Sequence, residues 1–331
     1  MKLDNLPEEQ RHVLMYHKSI LDYLENFEIK DIEQLKSVWR SKNTILKIET
    51  DSGFFVFKHI FDISEILELE QHKRLKKSYR NFTPKLFVAD GQAFLMEHVK
   101  GDDFFSLIKK YTAAEVAEKM QIAGETLAGI YSHAREKIES SGIKAIDYTL
   151  GHYASKCLKN GRLSEAEMSE LAKNLEKWKQ QMSSYAGQTA HCDLNCANLI
   201  ISDSTARVID PEYDYCDSFD IARDLGRYSA SVFLNNFDYN GQNLEESALL
   251  LYSFLSSFGK NYNADPALAA RTAFYHAQSA LSFSNFNTKT VKPKMFADYA
   301  LSLFSQKAPE SFEELVSTLA ESFRKSSGYL R

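Results

Sequence analysis

The chain has 331 residues, 44% of them hydrophobic and 26% charged, an ordinary globular balance with room for two lobes. A net charge of −5 argues against nucleic acid as the main partner, since a phosphate backbone calls for a basic footprint. The sequence contains neither a run of 18 apolar residues nor an apolar leader core near Met1, and its four cysteines are too few for a disulfide scaffold. A cytoplasmic protein without a transmembrane segment is therefore expected.

In chain order, Leu6 to Phe27 reads as a helix, with Pro7 near its start and Glu8 and Glu9 in a first turn where they complement the dipole. Thr44 to Thr50 and Gly53 to Lys58 alternate as strands turned at Asp51-Ser52-Gly53. Ile63 to Lys77 is amphipathic and helical, its basic cluster from His72 to Lys77 forming a solvated face. Pro84 to Gly91 and Gln92 to Glu97 supply another strand, turn and strand. Beyond residue 101 the pattern is mainly helical, around a single hairpin formed by Leu199 to Ile201 and Ala206 to Ile209. The chain thus divides into a helical extension (1–29), a strand-rich segment with one helix (30–99) and a larger helical segment (100–331), an α+β architecture of two lobes.

The hairpin concentrates the chemistry. A turn centred on Ser204 and Thr205 sets Asn198 against Asp210 across the strand ends, roughly 5 Å apart. An amide oxygen beside a carboxylate suits a magnesium ion that keeps several waters and binds phosphate. Asp193, five residues before Asn198, approaches the same space as a general base or hydroxyl-orienting group. His191 is better suited to holding this loop by hydrogen bonds than to reacting. Cys192 and Cys196 beside His191 raise the question of zinc, but a closed structural site needs four ligands and no second pair follows.

The run HCDLNCANLI followed by VIDPEY resembles the catalytic and metal loops of the aminoglycoside phosphotransferase and choline kinase group, relatives of the protein kinases. The resemblance implies a bilobal protein-kinase-like fold and transfer of the γ-phosphoryl group of ATP, with GTP an alternative donor, to a hydroxyl of a small molecule. Asp193 then matches the catalytic aspartate, with His191 in the same loop, Asn198 and Asp210 match the magnesium ligands, and Glu212 is an additional acidic residue near the metal. Lys58 falls where the phosphate-pairing lysine belongs, with Glu68 or Glu70 as its helix partner. The backbone of Glu97, His98 and Val99 corresponds to the adenine hinge. Pro211 in place of Phe-Gly after the metal aspartate favours a small-molecule kinase over a protein kinase.

The loop expected over the phosphates, Val38 to Thr44, departs from the pattern by having no glycine. Ser41 and Thr44 are its substitutes, and this departure keeps a catalytically inactive nucleotide-binding module as an alternative. Two aspartates compete to brace the catalytic loop, Asp220 at ten residues from Asp210 and Asp224 at fourteen. The aromatic-rich region after Gly226 should line the acceptor pocket, and Glu212, Asp214 and Asp217 suggest an acidic mouth suited to a cationic or hydroxyl-rich acceptor. Aminoglycosides, amino alcohols and sugars, including those of surface polysaccharide or the lipopolysaccharide core, all fit this reading. No protein partner is indicated.

Overall fold

The computed structural model describes residues 7–35, 43–61, 82–133, 138–182, 185–187, 190–211, 220–240, 243–262, 267–285 and 293–327. A five-stranded antiparallel sheet forms the smaller part, in the order β1-β2-β3-β5-β4. Its strands are β1 (Ile29–Gln34), β2 (Thr44–Thr50), β3 (Gly53–His59), β4 (Leu86–Asp90) and β5 (Ala93–Glu97). The alternation in β2 and β3 fixes which face each side chain takes. Phe55 and Phe57 point to one face, where they pack with Leu46, Ile48 and Leu95. Val56 and Ile60 point to the other, beside Phe94 and Met96.

The helix read over Leu6 to Phe27 is two helices, α1 (Glu8–Met15) and α2 (Lys18–Leu24), broken where His17 leaves helical geometry with φ −104° and ψ 79°. Leu14 and Ile20 are both fully buried against the outer face of the sheet with Leu24. On one continuous helix, positions six apart would sit about 120° from each other and could not share that face. The break brings them together. Because these helices cover the Phe55 and Phe57 face, Lys58 lies on the opposite side, toward the larger lobe.

The larger part is helical. Its long helices are α3 (Phe104–Lys110), α4 (Ala113–His133), α7 (Glu165–Met182), α8 (Ile221–Tyr239), α9 (Leu244–Asn261), α10 (Leu268–Phe283), α11 (Pro293–Ser305) and α12 (Phe312–Ser327). Two short helices, α5 (Ile143–Tyr148) and α6 (Ser155–Lys159), flank a π-helical turn at Thr149–Ala154. One core runs through all of this, carried by buried aromatics such as Tyr228, Phe233, Phe254 and Phe274. Among the described residues no helix is long and apolar enough to cross a membrane.

Among the described residues two ladders lie in the helical part, where the sequence suggested one hairpin. Ile138–Ser140 (β6) pairs with Tyr185–Gly187 (β7), and Leu199–Ile201 (β8) pairs with Ala206–Val208 (β9). Three-residue strands bridging a long helical insertion leave almost no periodic signal, which is why the first ladder is silent in the sequence. The β8–β9 hairpin is bolted to the segment after β5. Asp102 and Ile201 exchange backbone hydrogen bonds at 3.0 and 2.9 Å, and a Cβ on Gly101, whose φ is +139°, would lie 2.6 Å from the Ile201 carbonyl oxygen. Only glycine allows the chain leaving the sheet to approach the hairpin this closely.

Candidate functional site

The hairpin register differs from the sequence reading. Leu199 pairs with Val208, and the Ile209 N–H donates to the Asn198 carbonyl at 3.0 Å, so Ile209 and not Asp210 stands opposite Asn198. The turn sits one residue earlier than expected because Ser202 organises it. The Ser202 N–H and Oγ both donate to the Thr205 carbonyl at 2.9 Å, a local side-chain turn that outweighs the symmetric choice. Asp210 follows as the first residue past the ladder, with φ +51°. A left-handed aspartate ahead of a proline is a costly conformation, about 1–3 kcal/mol, and it turns the carboxylate off the strand direction. There the Lys58 ammonium lies 3.2 Å from Asp210 Oδ1. Lys58 is almost wholly buried, at 4%, whereas the Asp210 side chain is about one-third exposed at 32%.

Asp193 is held from both sides. Asn198 Nδ2 donates to its carbonyl at 2.9 Å and to Oδ2 at 3.1 Å, and Asn195 Nδ2 reaches the same Oδ2 at 3.3 Å. Arg227, from α8, forms an ion pair with Oδ1. That oxygen is buried although the side chain as a whole is 23% exposed. With its amide nitrogen committed to Asp193, Asn198 keeps its oxygen as a hard acceptor.

The loop itself hangs from Asp224. Its carboxylate accepts from the N–H of His191 at 2.6 Å, the N–H of Cys192 at 2.9 Å and the Tyr131 hydroxyl at 2.8 Å. Burial pushes the Asp224 carboxyl above its ordinary range, against the pull of His191 and these donors. Cys192, at φ +71°, turns its N–H toward this carboxylate. Asp220 works elsewhere, capping α8 through the Ala222 N–H at 3.0 Å and forming a buried pair with Arg271 at 3.2 Å. His191 is fully buried, with Nε2 2.7 Å from the Ile209 carbonyl, so it ties the loop ahead of β8 to the end of β9.

At the end of β5, Glu97 forms a two-pronged ion pair with Arg207 at 2.6 and 2.8 Å, which lowers its carboxyl below the ordinary range and joins β5 to β9. The Glu97 N–H donates to the Lys85 carbonyl at 2.8 Å and the His98 N–H to Phe54 at 3.4 Å. Of the backbone N–H groups in the expected hinge, Glu97 to Val99, that of Val99 is the one not taken up by these bonds. Thr44 opens β2, buried opposite His59. Ser41, Glu68, Glu70, Glu212, Asp214 and Asp217 lie outside the described residues.

Cys192 and Cys196 are buried, and burial pushes the Cys196 thiol up, away from the thiolate a zinc site requires. No group of three His, Cys, Asp or Glu able to hold a metal occurs among the described residues. The oxygens of Asn198 and Asp210 are the hard donors that fit magnesium in company with water and phosphate.

A cavity of about 310 Å³ opens beside Asp193 and Asn195, between α8, α10 and the π-helical turn. Its lining includes Arg223, Arg227, Tyr153, Gln278 and Ser279. The two arginines escaped the sequence reading, which attended to the aspartates of this helix and to the aromatics after Gly226. Their signal was the spacing of four, which puts both on one face of α8. Close approach of α8 and α10 shapes the cavity, since a Cβ on Gly226 would lie 2.6 to 2.7 Å from Tyr275, Thr272 and His276.

No protein-family model and no curated protein sequence matches the chain. Among solved structures it is similar to a choline kinase from Cryptosporidium parvum Iowa II, at 13% identity over 95% of this chain and 96% of that one, with a TM-score of 0.52. It is similar as well to a Plasmodium vivax ethanolamine kinase, at 12% identity over 96% and 88% of the two chains and a TM-score of 0.52. An amicoumacin kinase solved with AMP-PNP, Ca2+ and Ami matches at 11% identity over 90% and 96%, with a TM-score of 0.54. The sheet lobe and helical lobe thus form the bilobal protein-kinase-like fold of these solved structures.

Proposed function

We propose that this protein is a small-molecule kinase that transfers the γ-phosphoryl group of ATP to an acceptor hydroxyl. The observation that carries this reading is the 3.2 Å approach of Lys58, from the sheet lobe, to Asp210, from the helical lobe, beside an Asp193 that faces a cavity. A cation for phosphate, a carboxylate for a metal and a carboxylate for a hydroxyl are the parts phosphoryl transfer needs. The small-molecule kinases that share the fold point the same way.

In this reading Lys58 binds the α- and β-phosphates, and Glu68 or Glu70 positions it. Val99 offers its N–H to the adenine. Ser41 and Thr44 stand over the phosphates. Asn198 and Asp210 would hold magnesium, with Glu212 near them, and the bound ion would neutralise charge on the transferring phosphoryl oxygens. Asp193 orients the acceptor hydroxyl and takes its proton at Oδ2, while Arg227, Asn195 and Asn198 fix the carboxylate in place. The hydroxyl oxygen bonds to the γ-phosphorus as the bond from that phosphorus to the β–γ bridging oxygen breaks, and ADP leaves.

Thermal shift with ATP, with and without magnesium, and turnover against aminoglycosides, amino alcohols, sugars and sugar acids test this together. Metal-dependent stabilisation accompanied by transfer supports the kinase. Metal-independent binding with no transfer across the panel would instead identify an inactive nucleotide-binding module, the reading that the glycine-free loop keeps in view.

A further inference from the structure

We infer that Arg207 is a positioning residue for the nucleotide: from the β8–β9 hairpin it holds Glu97 and so pre-orders the segment from His98 to Gly101 that receives the adenine. The inference rests on the kinase reading and deepens it. That segment is pinned at both ends to one hairpin. At its far end Asp102 exchanges two backbone hydrogen bonds with Ile201, and Gly101 lies so close to the Ile201 carbonyl that a Cβ would not fit between them. At its near end the Glu97 carboxylate takes both prongs of Arg207, at 2.6 and 2.8 Å. The two anchors stand on adjacent rungs of the ladder, Ile201 pairing with Ala206 and Arg207 with Ile200. The four residues between them, Val99 included, are therefore strung across a single two-stranded support.

The two anchors differ in kind. The one at Asp102 is made by backbone atoms, whereas the one at Glu97 depends on a single guanidinium. Arg207 Nη2 also donates to the Thr83 carbonyl at 2.7 Å, and Glu97 Oε2 accepts the Lys85 N–H at 3.0 Å. One arginine thus gathers the chain ahead of β4 and the end of β5 onto β9. The planar fork makes this possible, since its donors point in fixed directions that an ammonium cannot reproduce. Three residues beyond Arg207 the chain reaches Asp210, and three residues before Glu97 stands Phe94, the strand partner of Lys58. The Glu97–Arg207 and Lys58–Asp210 pairs are therefore spaced alike on the two lobes, and holding one keeps the other in register. A hinge released at Glu97 would sample many arrangements, and nucleotide binding would bear the cost of ordering it. That cost appears as lost affinity.

Calorimetry with ADP and with Mg-ATP tests this on the native chain, Arg207→Met, Glu97→Gln and the double variant. Each single variant should weaken both nucleotides roughly tenfold, the factor expected when the competent hinge falls to about a tenth of the population. The double variant should bind no more weakly than either single one, because both remove the same contact. Arg207→Lys should recover only part of the affinity. The melting temperature should fall by at most a few degrees, since the pair is partly exposed. As a control, Lys119→Met breaks another ion pair of the same hairpin, the one to Asp203 at its turn, and should leave both affinities unchanged. Unchanged affinity in Arg207→Met, losses that add in the double variant, or an equal loss in Lys119→Met overturns the inference. The two readings fail separately. A native chain that binds neither ADP nor Mg-ATP sinks the kinase and the positioning role with it, whereas native binding that Arg207→Met leaves unaltered sinks the positioning role alone.

Discussion

At the scale of single residues, the site depends on carboxylates whose different roles are set by their surroundings. Asp224 is enclosed and receives three donors, so it holds the loop, while Asp193 keeps one edge toward a cavity. Asp224→Asn replaces one acceptor with an amide that opposes a backbone N–H. It should cost about 2–3 kcal/mol in chemical denaturation and remove activity beyond that loss. If Asp220→Asn silences the protein and Asp224→Asn does not, the brace has been misassigned. Sequence spacing left these two aspartates level, because only the direction of α8 decides which reaches the loop. A second residue-scale prediction concerns His276, fully buried between Ser229 Oγ and the Tyr299 hydroxyl, each 2.9 Å away, with burial holding its imidazole down at about 3. Between pH 6.5 and about 3 the unfolded chain binds a proton there and the native one does not, so stability rises with pH across that window. From pH 7 to pH 5 the native protein should lose about 2 kcal/mol more than His276→Gln. Equal losses would show that His276 titrates normally in the folded state.

At the scale of elements, register and helix contacts decide what the motif can do. The order of strands and the placement of Lys58 follow from the alternation in β2 and β3, which is plain in the sequence. The turn at Ser202 was not, because a serine closing its own turn competes with the symmetric hairpin on nearly equal terms. That one-residue difference is why Asp210 approaches Lys58 from beyond the ladder. The break at His17 was legible only through Leu14 and Ile20, whose spacing suits no single helix face. The α8–α10 crossing gives a third prediction. Gly226→Ala on an isolated helix would gain up to about 1 kcal/mol, yet a methyl 2.6 to 2.7 Å from three neighbouring atoms forces the helices apart, at a cost of about 1–3 kcal/mol. The melting temperature should therefore fall, with KM for the acceptor rising as the cavity deforms. A rise in melting temperature would mean that the helices do not pack this closely.

For the whole molecule, the proposed kinase depends on two lobes joined, among the described residues, by the Lys58–Asp210 and Glu97–Arg207 ion pairs. The sheet contributes Lys58 and the hinge, the helical lobe contributes Asp193, Asn198 and Asp210, and Glu97 with Arg207 anchors one to the other. The two-lobe plan was readable from strand-rich sequence giving way to helical sequence, and the β8–β9 hairpin from two short apolar runs around a turn. The cavity wall was not readable, since Arg223 and Arg227 come to line one cavity only when α8 packs against α10. Lys58→Met and Asp210→Asn should each abolish stabilisation by Mg-ATP while leaving the unliganded melting temperature within a few degrees, the pair being partly solvated at Asp210. Undiminished stabilisation in either variant would place the nucleotide elsewhere.

The most direct measurement is transfer of labelled γ-phosphate from Mg-ATP into a mixture of small-molecule metabolites, with the native protein and Asp193→Ala compared at equal folded concentration. The account predicts a labelled phosphate ester that depends on magnesium, with formation slowed by about 10² to 10⁴ in Asp193→Ala while ATP still binds. Labelled ester formed at the native rate by Asp193→Ala, or none formed by a native protein that binds Mg-ATP, would contradict it.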